Sequence, residues 1–213
     1  MHPLTLEGIH ITLDGTSLLR IDSVIAPGEV LTVMGPSGVG KSTLLAYIAG
    51  FLSPAFTASG NVRLGERELT RLPAEARRVG LLFQDPLLFP HLSVGGNLAF
   101  GMGAQGSGRE RARRIEAALA DVGLGEYGHR DPATLSGGQK ARVALLRVLL
   151  SQPGAMLLDE PFSKLDAALR DEMRTLVFAR VKARELPTLM VTHDVADAEA
   201  AGGRVIELGG NKR

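Results

Sequence analysis

The sequence predicts an α/β fold with a parallel sheet, and three observations carry that prediction. Short apolar runs without alternation recur at residues 79–83, 155–158 and 188–191. Runs of this kind suit strands covered on both faces. Helical periods lie between them, and strands alternating with helices pack as a parallel sheet. The third observation is a set of alternating segments near the N terminus, which predicts antiparallel strands beside the buried sheet. The 213 residues suffice for one large domain with a core, and 45% hydrophobic with 22% charged residues is an ordinary globular composition.

Taken in order, Ile9, Ile11 and Leu13 alternate with His10, Thr12 and Asp14, giving a half-buried strand that ends in an Asp14-Gly15 turn. Leu19 and Ile21 start a second alternating stretch, and Pro27-Gly28 marks a turn before the apolar residues 30–34. Residues 42–49 read as a helix that Gly50 closes, and Val62 and Leu64 as a short strand. Ile115, Ala118, Leu119 and Val122 follow the 3.6-residue period, with Gly123 to end that helix. Leu169, Met173, Leu176 and Val177 do the same behind an Asp166 N-cap. Residues 85–150 are mainly helical, which predicts a helical subdomain inserted into a core made of residues 1–84 and 151–213.

Charge and composition narrow the function classes. The net charge of +1 creates no global field towards nucleic acid or acidic lipid. Arg109, Arg111, Arg113 and Arg114 cluster at the start of a helix, but no aromatics interleave with them, so they read as a solvated face. With no cysteine there are no disulfides or thiolate metal sites. Met1-His2-Pro3-Leu4 does not open a secretory signal, and no apolar run approaches the roughly 20 residues of a membrane helix.

Gly35-Pro36-Ser37-Gly38-Val39-Gly40-Lys41-Ser42 matches G-x-x-x-x-G-K-[ST] at every fixed position, after an apolar strand and before a helix. The glycines let backbone N–H groups converge on phosphate oxygens, and the helix N terminus adds positive potential. Lys41 brings a point charge to the outer phosphates, and the Ser42 hydroxyl is a ligand for Mg²⁺. Thr43, next in line, completes the predicted nucleotide-binding set. The fold class sharpens accordingly to a P-loop NTPase core. A second constellation ends the buried run at Asp159-Glu160-Pro161. Ligands of open α/β sheets bind beyond the carboxyl ends of strands, so Asp159 is placed to hold Mg²⁺ and Glu160 to act as general base on water.

Leu135-Ser136-Gly137-Gly138-Gln139, continued by Lys140-Ala141-Arg142, resembles the signature of the ATP-binding cassette (ABC) ATPases. The resemblance runs over nearly the whole chain and in the family's motif order. Gln84, ending the run Leu81-Leu82-Phe83-Gln84, is similar to the family's Q-loop glutamine, which implies contact with Mg²⁺ or its water. Ser163-Lys164-Leu165-Asp166 resembles the D-loop and adds Asp166 to the ATP-binding set. His193 in Val191-Thr192-His193-Asp194 resembles the switch histidine, implying contact with the γ-phosphate and positioning of the attacking water with Glu160. Independently of the family, Ser136 is a helix N-cap, and the bare N–H groups of Gly137 and Gly138 make an anion site. The resemblance implies that this anion site, Ser136 to Gln139, closes over the phosphate loop of a second copy in a head-to-tail dimer.

Two departures from the family pattern stand out. Residues 10–16 contain no Phe, Tyr or Trp to stack on adenine, so weakened base selectivity is expected. Lys164 replaces the usual small or neutral residue, and solvent is its expected environment. The run from Phe83 to Val94, with Asn97 after it, resembles small-solute importer ATPases. Phe89, Pro90 and Leu92 would then supply apolar contact area to a membrane subunit. A single cassette ending at Arg213 predicts a separate ATPase subunit with integral membrane permease subunits and a solute-binding protein as partners. Its predicted place is peripheral, on the cytoplasmic face of the plasma membrane. A soluble ABC ATPase of DNA repair or translation, and a nucleotide-binding regulator without turnover, stay open as alternatives at this stage.

Overall fold

The computed structural model describes residues 1–103 and 106–209. β1 (Leu4–Leu13) and β2 (Thr16–Ile25) form an antiparallel hairpin. Asp14 and Gly15 both take positive φ, 50° and 77°, which is the chemistry a two-residue hairpin turn demands. The turn at Pro27-Gly28 leads into β3 (Val30–Met34), and α1 (Lys41–Ala49) follows the phosphate loop. β4 (Phe56–Leu64) returns to pair with β1, and β5 (Arg67–Glu68) completes a four-stranded antiparallel sheet in the order β2-β1-β4-β5.

The rest of the chain builds the second sheet and its covering helices. The short α2 (Ala74–Arg77) precedes β6 (Val79–Leu82). Then come α3 (Val94–Met102), α4 (Gly108–Ala120) and α5 (Gly137–Leu150). β7 (Ala155–Asp159), α6 (Ala167–Ala183), β8 (Thr188–Thr192), α7 (Val195–Ala201) and β9 (Val205–Glu207) follow. The sheet has five strands in the order β6-β7-β8-β3-β9, and every paired neighbour is parallel.

The apolar runs of β7 and β8 are buried on both faces, as their lack of alternation predicts, whereas in the run 79–83, on the edge strand β6, Val79 and Leu81 are half-buried and Phe83 is exposed. Ala155, Leu157, Leu189 and Val191 face a core shared with α1 and the antiparallel sheet. Met156, Leu158 and Met190 face the opposite way, against α5 and α6. Each fully buried Leu or Val contributes about 1.5–3 kcal/mol. A third core, with Val94, Leu98, Ile115, Leu119, Val143 and Leu146, holds α3, α4 and α5 together.

The N-terminal strands are longer than the alternation suggested. Burial in β1 falls on Leu4 and Leu6, then on Ile9 and Ile11, because the register shifts between Leu6 and Ile9. Gly8, at φ 57°, takes the bulge, and a Cβ on Gly60 of β4 would sit 2.5 Å from the Gly8 carbonyl oxygen. The bulge breaks the period of two and hides the first half of the strand from a pattern search.

Candidate active site

The phosphate loop occupies the carboxyl end of β3, near the middle of the parallel sheet. Gly38 and Gly40 adopt left-handed φ of 84° and 97°. At Gly40 a Cβ would come within 2.7 Å of Leu18 Cδ2, so only glycine fits there. Gly40 is the N-cap of α1 and offers no side-chain acceptor, so the first amides of this helix point into the loop without a capping partner. Lys41 is buried and folds back over the loop: Nζ donates to the Gly35 carbonyl at 2.7 Å and to that of Pro36 at 3.1 Å. A cation is thus held by backbone carbonyls beside the uncapped amides of the α1 N terminus, which fits the binding of a polyphosphate. At the far end α1 closes on Gly50, and the buried Arg77 donates to the Tyr47 and Ile48 carbonyls at 2.8 and 2.9 Å, satisfying its last turn.

Asp159 and Glu160 stand opposite the loop. Ser42 Oγ donates to Asp159 Oδ1 at 3.0 Å, and Glu160 Oε1 lies 3.9 Å from Lys41 Nζ. Successive strand residues point to opposite faces, but Glu160 takes φ 44°, a left-handed conformation rare for a non-glycine residue. That twist lets Glu160 line the same 400 Å³ cavity as Ser37, Gly38, Gly40, Lys41, Ser42 and Thr43. His193, just past β8, brings Nδ1 to 3.2 Å from Glu160 Oε2. Burial raises the Asp159 carboxyl above its ordinary value, and the Glu160 charge adds to this, while the Ser42 hydrogen bond and Lys41 oppose it. Two adjacent carboxylates facing one lysine favour a further cation. The donors at hand, a hydroxyl and a carboxylate, are hard oxygens that suit Mg²⁺, which needs few protein ligands when phosphates and water supply the rest. Among the described residues no larger cluster of metal-binding side chains exists.

Other residues singled out in the sequence lie apart from this cavity. Gln84 is exposed, two residues beyond β6. Ser136 caps α5 in a full capping box with Gln139, whose amide also donates to the Tyr127 hydroxyl at 3.3 Å. Gly138 is buried, and a Cβ there would lie 2.5 Å from a Leu169 methyl carbon, whereas around Gly137 there is open space. None of residues 136–139 lines the 400 Å³ cavity. Asp166 caps α6 by accepting from the Leu169 amide at 3.1 Å. Lys164 corrects an expectation: instead of pointing to solvent alone, its Nζ pairs with Asp85 Oδ1 at 2.5 Å. Phe89 and Leu92 are half-buried and Pro90 is exposed; the larger exposed apolar surfaces nearby belong to Phe83, Leu87 and Phe100.

Two features escaped the sequence reading. Phe56 lines the cavity beside Leu13 and Leu18, because the β1–β4 register sets Leu13 opposite Phe56. The sequence reading places only Val62 and Leu64 in this strand, whereas β4 begins at Phe56. The second is a buried ion network behind His193. Arg174 donates to Asp197 Oδ1 from Nε at 2.7 Å and to Asp194 Oδ2 from Nη2 at 3.3 Å. Asp197 Oδ2 accepts from Thr192 Oγ1 at 2.9 Å, and Arg170 donates both to Asp194 and to the Leu165 carbonyl. These bonds fix the turn that carries His193.

Comparison with known proteins places this geometry in a family. A family model described as ABC transporter matches residues 18–163, a stretch that includes the phosphate loop, Gln84, the signature and the carboxylate pair. Over 198 residues the chain is 46% identical to the uncharacterized ABC transporter ATP-binding protein YnjD of Escherichia coli (strain K12), covering 92% of this chain and 91% of that one. It is 44% identical over 194 residues to the spermidine/putrescine import ATP-binding protein PotA of Frankia alni, covering 91% of this chain and 41% of that one. It is 42% identical over 194 residues to the Fe(3+) ions import ATP-binding protein FbpC of Brucella abortus (strain 2308), covering 91% of this chain and 54% of that one. The chain therefore spans most of the first relative and only about half of the two import proteins. On the family match and these identities, the chain belongs to the ABC transporter family, as an ATP-binding protein that hydrolyses ATP.

Proposed function

We infer that this chain is the ATPase subunit of a small-solute importer and works as two copies packed head to tail. One observation carries the reading: the phosphate loop and the signature are both fully formed, yet the signature does not line the cavity beside the loop. Two anion-binding features on separate surfaces of one chain make a closed site only when a second copy supplies the missing half. The direction of transport rests on PotA and FbpC, whose names are those of import proteins.

Lys41 would exchange the Gly35 and Pro36 carbonyls for the outer phosphates of ATP. Ser42 and Asp159 would hold Mg²⁺, with Gln84 on its water, and that ion supplies neutralising charge to the phosphate oxygens. Glu160 accepts the proton of the attacking water, and His193, 3.2 Å away, keeps Glu160 and the γ-phosphate end in register. The base rests on the wall of Leu13, Leu18 and Phe56. In the closed dimer Ser136, Gly137, Gly138 and Gln139, with Asp166, face the partner's nucleotide.

Among the described residues no helix is long and apolar enough to cross a membrane. Permease subunits, with a solute-binding protein outside, would carry the solute while this chain sits peripherally on the cytoplasmic face. The exposed Phe83, Leu87 and Phe100, beside Phe89 and Pro90, form the apolar surface on which a permease helix docks. Purification from membranes tests this: recovery with integral membrane subunits supports the importer reading, and a chain confined to the soluble fraction refutes it.

A further inference from the structure

We propose that Lys164 is a positioning residue for Gln84, acting through its ion pair with Asp85; this rests on the reading of the ATP site above. Asp85 lies three residues beyond β6, next to Gln84, and Lys164 five residues beyond β7, four past Glu160. β6 and β7 are adjacent parallel strands, so both loops leave the same end of the sheet.

Among the described residues the segment around Gln84 is hydrogen-bonded to the rest of the chain at its two ends, and between them the Phe83 ring packs 6.5 Å from that of Phe51. Before it, Leu82 pairs with Leu158 in the sheet. After it, Arg147 of α5 donates to the Pro86 and Leu87 carbonyls at 3.1 and 2.8 Å, and Asn97 of α3 accepts from the Phe89 amide at 2.8 Å. Residues 86–89 thus belong to the helices and residue 82 to the sheet. The 2.5 Å contact from Lys164 Nζ to Asp85 Oδ1 spans the interval on the core side.

The core end of this clasp is firmly held. Ser163 Oγ donates to the Glu160 carbonyl at 2.9 Å, and the Leu165 carbonyl accepts from Arg170 at 3.0 Å. Lys164 is therefore mounted on the segment that carries the catalytic carboxylate and is linked to the turn of His193. Through Asp85 it sets the distance of Gln84 from that segment. The side chains are 51% and 56% exposed, so the clasp is weak enough to open and is screened by salt.

The test is a charge-swap cycle on the chain assembled with its membrane partners, measuring kcat and KM for ATP. Lys164→Ala and Asp85→Ala should each lower kcat by about two- to fivefold and leave KM within about twofold, since neither residue touches the nucleotide. The swapped pair Lys164→Asp with Asp85→Lys should recover wild-type kcat to within about twofold, showing that the rate follows the pairing of the two charges. Raising salt should slow the wild type towards the single variants and leave those variants unchanged. Both side chains are half exposed, and equal melting temperatures for all four proteins would exclude misfolding as the cause of a slower rate. Equal rates in all four proteins, or a swap no faster than the single variants, would overturn the clasp alone. No turnover in any of them would overturn the reading of the ATP site and the clasp with it.

Discussion

Replacing Asp197 by alanine removes the most deeply buried carboxylate of the chain's polar network, and its cost follows from the geometry. The Asp197 side chain is 2% exposed and its partner Arg174 11% exposed. Breaking one side of such a pair costs about 3–5 kcal/mol, because the remaining charge stays in the interior. Arg174 keeps Asp194 and Asp171, which places the loss near the lower end. Thr192 loses the acceptor of its hydroxyl as well, adding about 1 kcal/mol. The sum is about 4 kcal/mol, and at about 2–4 °C per kcal/mol for a chain of this size Tm falls by about 8–16 °C. Thermal and urea melts of Asp197→Ala against Asp171→Ala provide the measurement. Asp171 binds the same arginine, but its side chain is 76% exposed, so its removal costs about 1 kcal/mol or less. If the two variants melt within about 2 °C of each other, the network is not buried in the sense argued here.

Three further outcomes follow from the site. Burial raises the Asp159 carboxyl, so the folded chain holds a proton there more readily than the unfolded chain; stability gained as pH falls is lost as pH rises past the folded value. Asp159→Asn should then raise the Tm of the nucleotide-free chain at neutral pH and remove the Mg²⁺ dependence of ATP binding; a lower Tm contradicts the argument. Phe56→Ala should weaken ATP binding about tenfold, the worth of one base contact, while changing tripolyphosphate binding less than twofold. Equal losses for both ligands in calorimetry would remove Phe56 from the base seat. Gly138→Ala should destabilise the isolated chain by about 1–3 kcal/mol through Leu169, whereas Gly137→Ala should stabilise it slightly yet slow ATP turnover in the assembled complex. Unchanged turnover in Gly137→Ala would mean that nothing approaches that backbone.

Local chemistry made much of this legible in the sequence. The glycines and lysine of the phosphate loop announce themselves because the backbone path and the charge are both encoded within residues 35–42. Asp166 and Ser136 act as N-caps where their spacing from the helix start predicts, and each accepts from the amide three residues on. The buried strands are legible because two covered faces leave no polar alternation. What stayed hidden depends on register or on distant partners. A single bulge at Gly8 displaces the period of β1, and with it the pairing that sets Phe56 opposite Leu13. Lys164 and Asp85 are 79 residues apart, and only the adjacency of β6 and β7 brings them together. The φ of 44° that turns Glu160 towards the loop carries no sequence signal, since glutamate is not a residue that favours that conformation.

The central claim is that residues 35–42 and 136–139 of one chain belong to two different ATP sites. Complementation between two dead variants tests it directly. Lys41→Ala disables the phosphate loop and Ser136→Arg the signature, and complexes assembled from either variant alone should release no phosphate. When both variants are assembled together, the mixed dimers pair one intact phosphate loop with one intact signature. With random pairing and independent sites, about a quarter of wild-type phosphate release should return. No recovery in mixed complexes of confirmed composition would contradict the account, because it would place both halves of each site on the same chain.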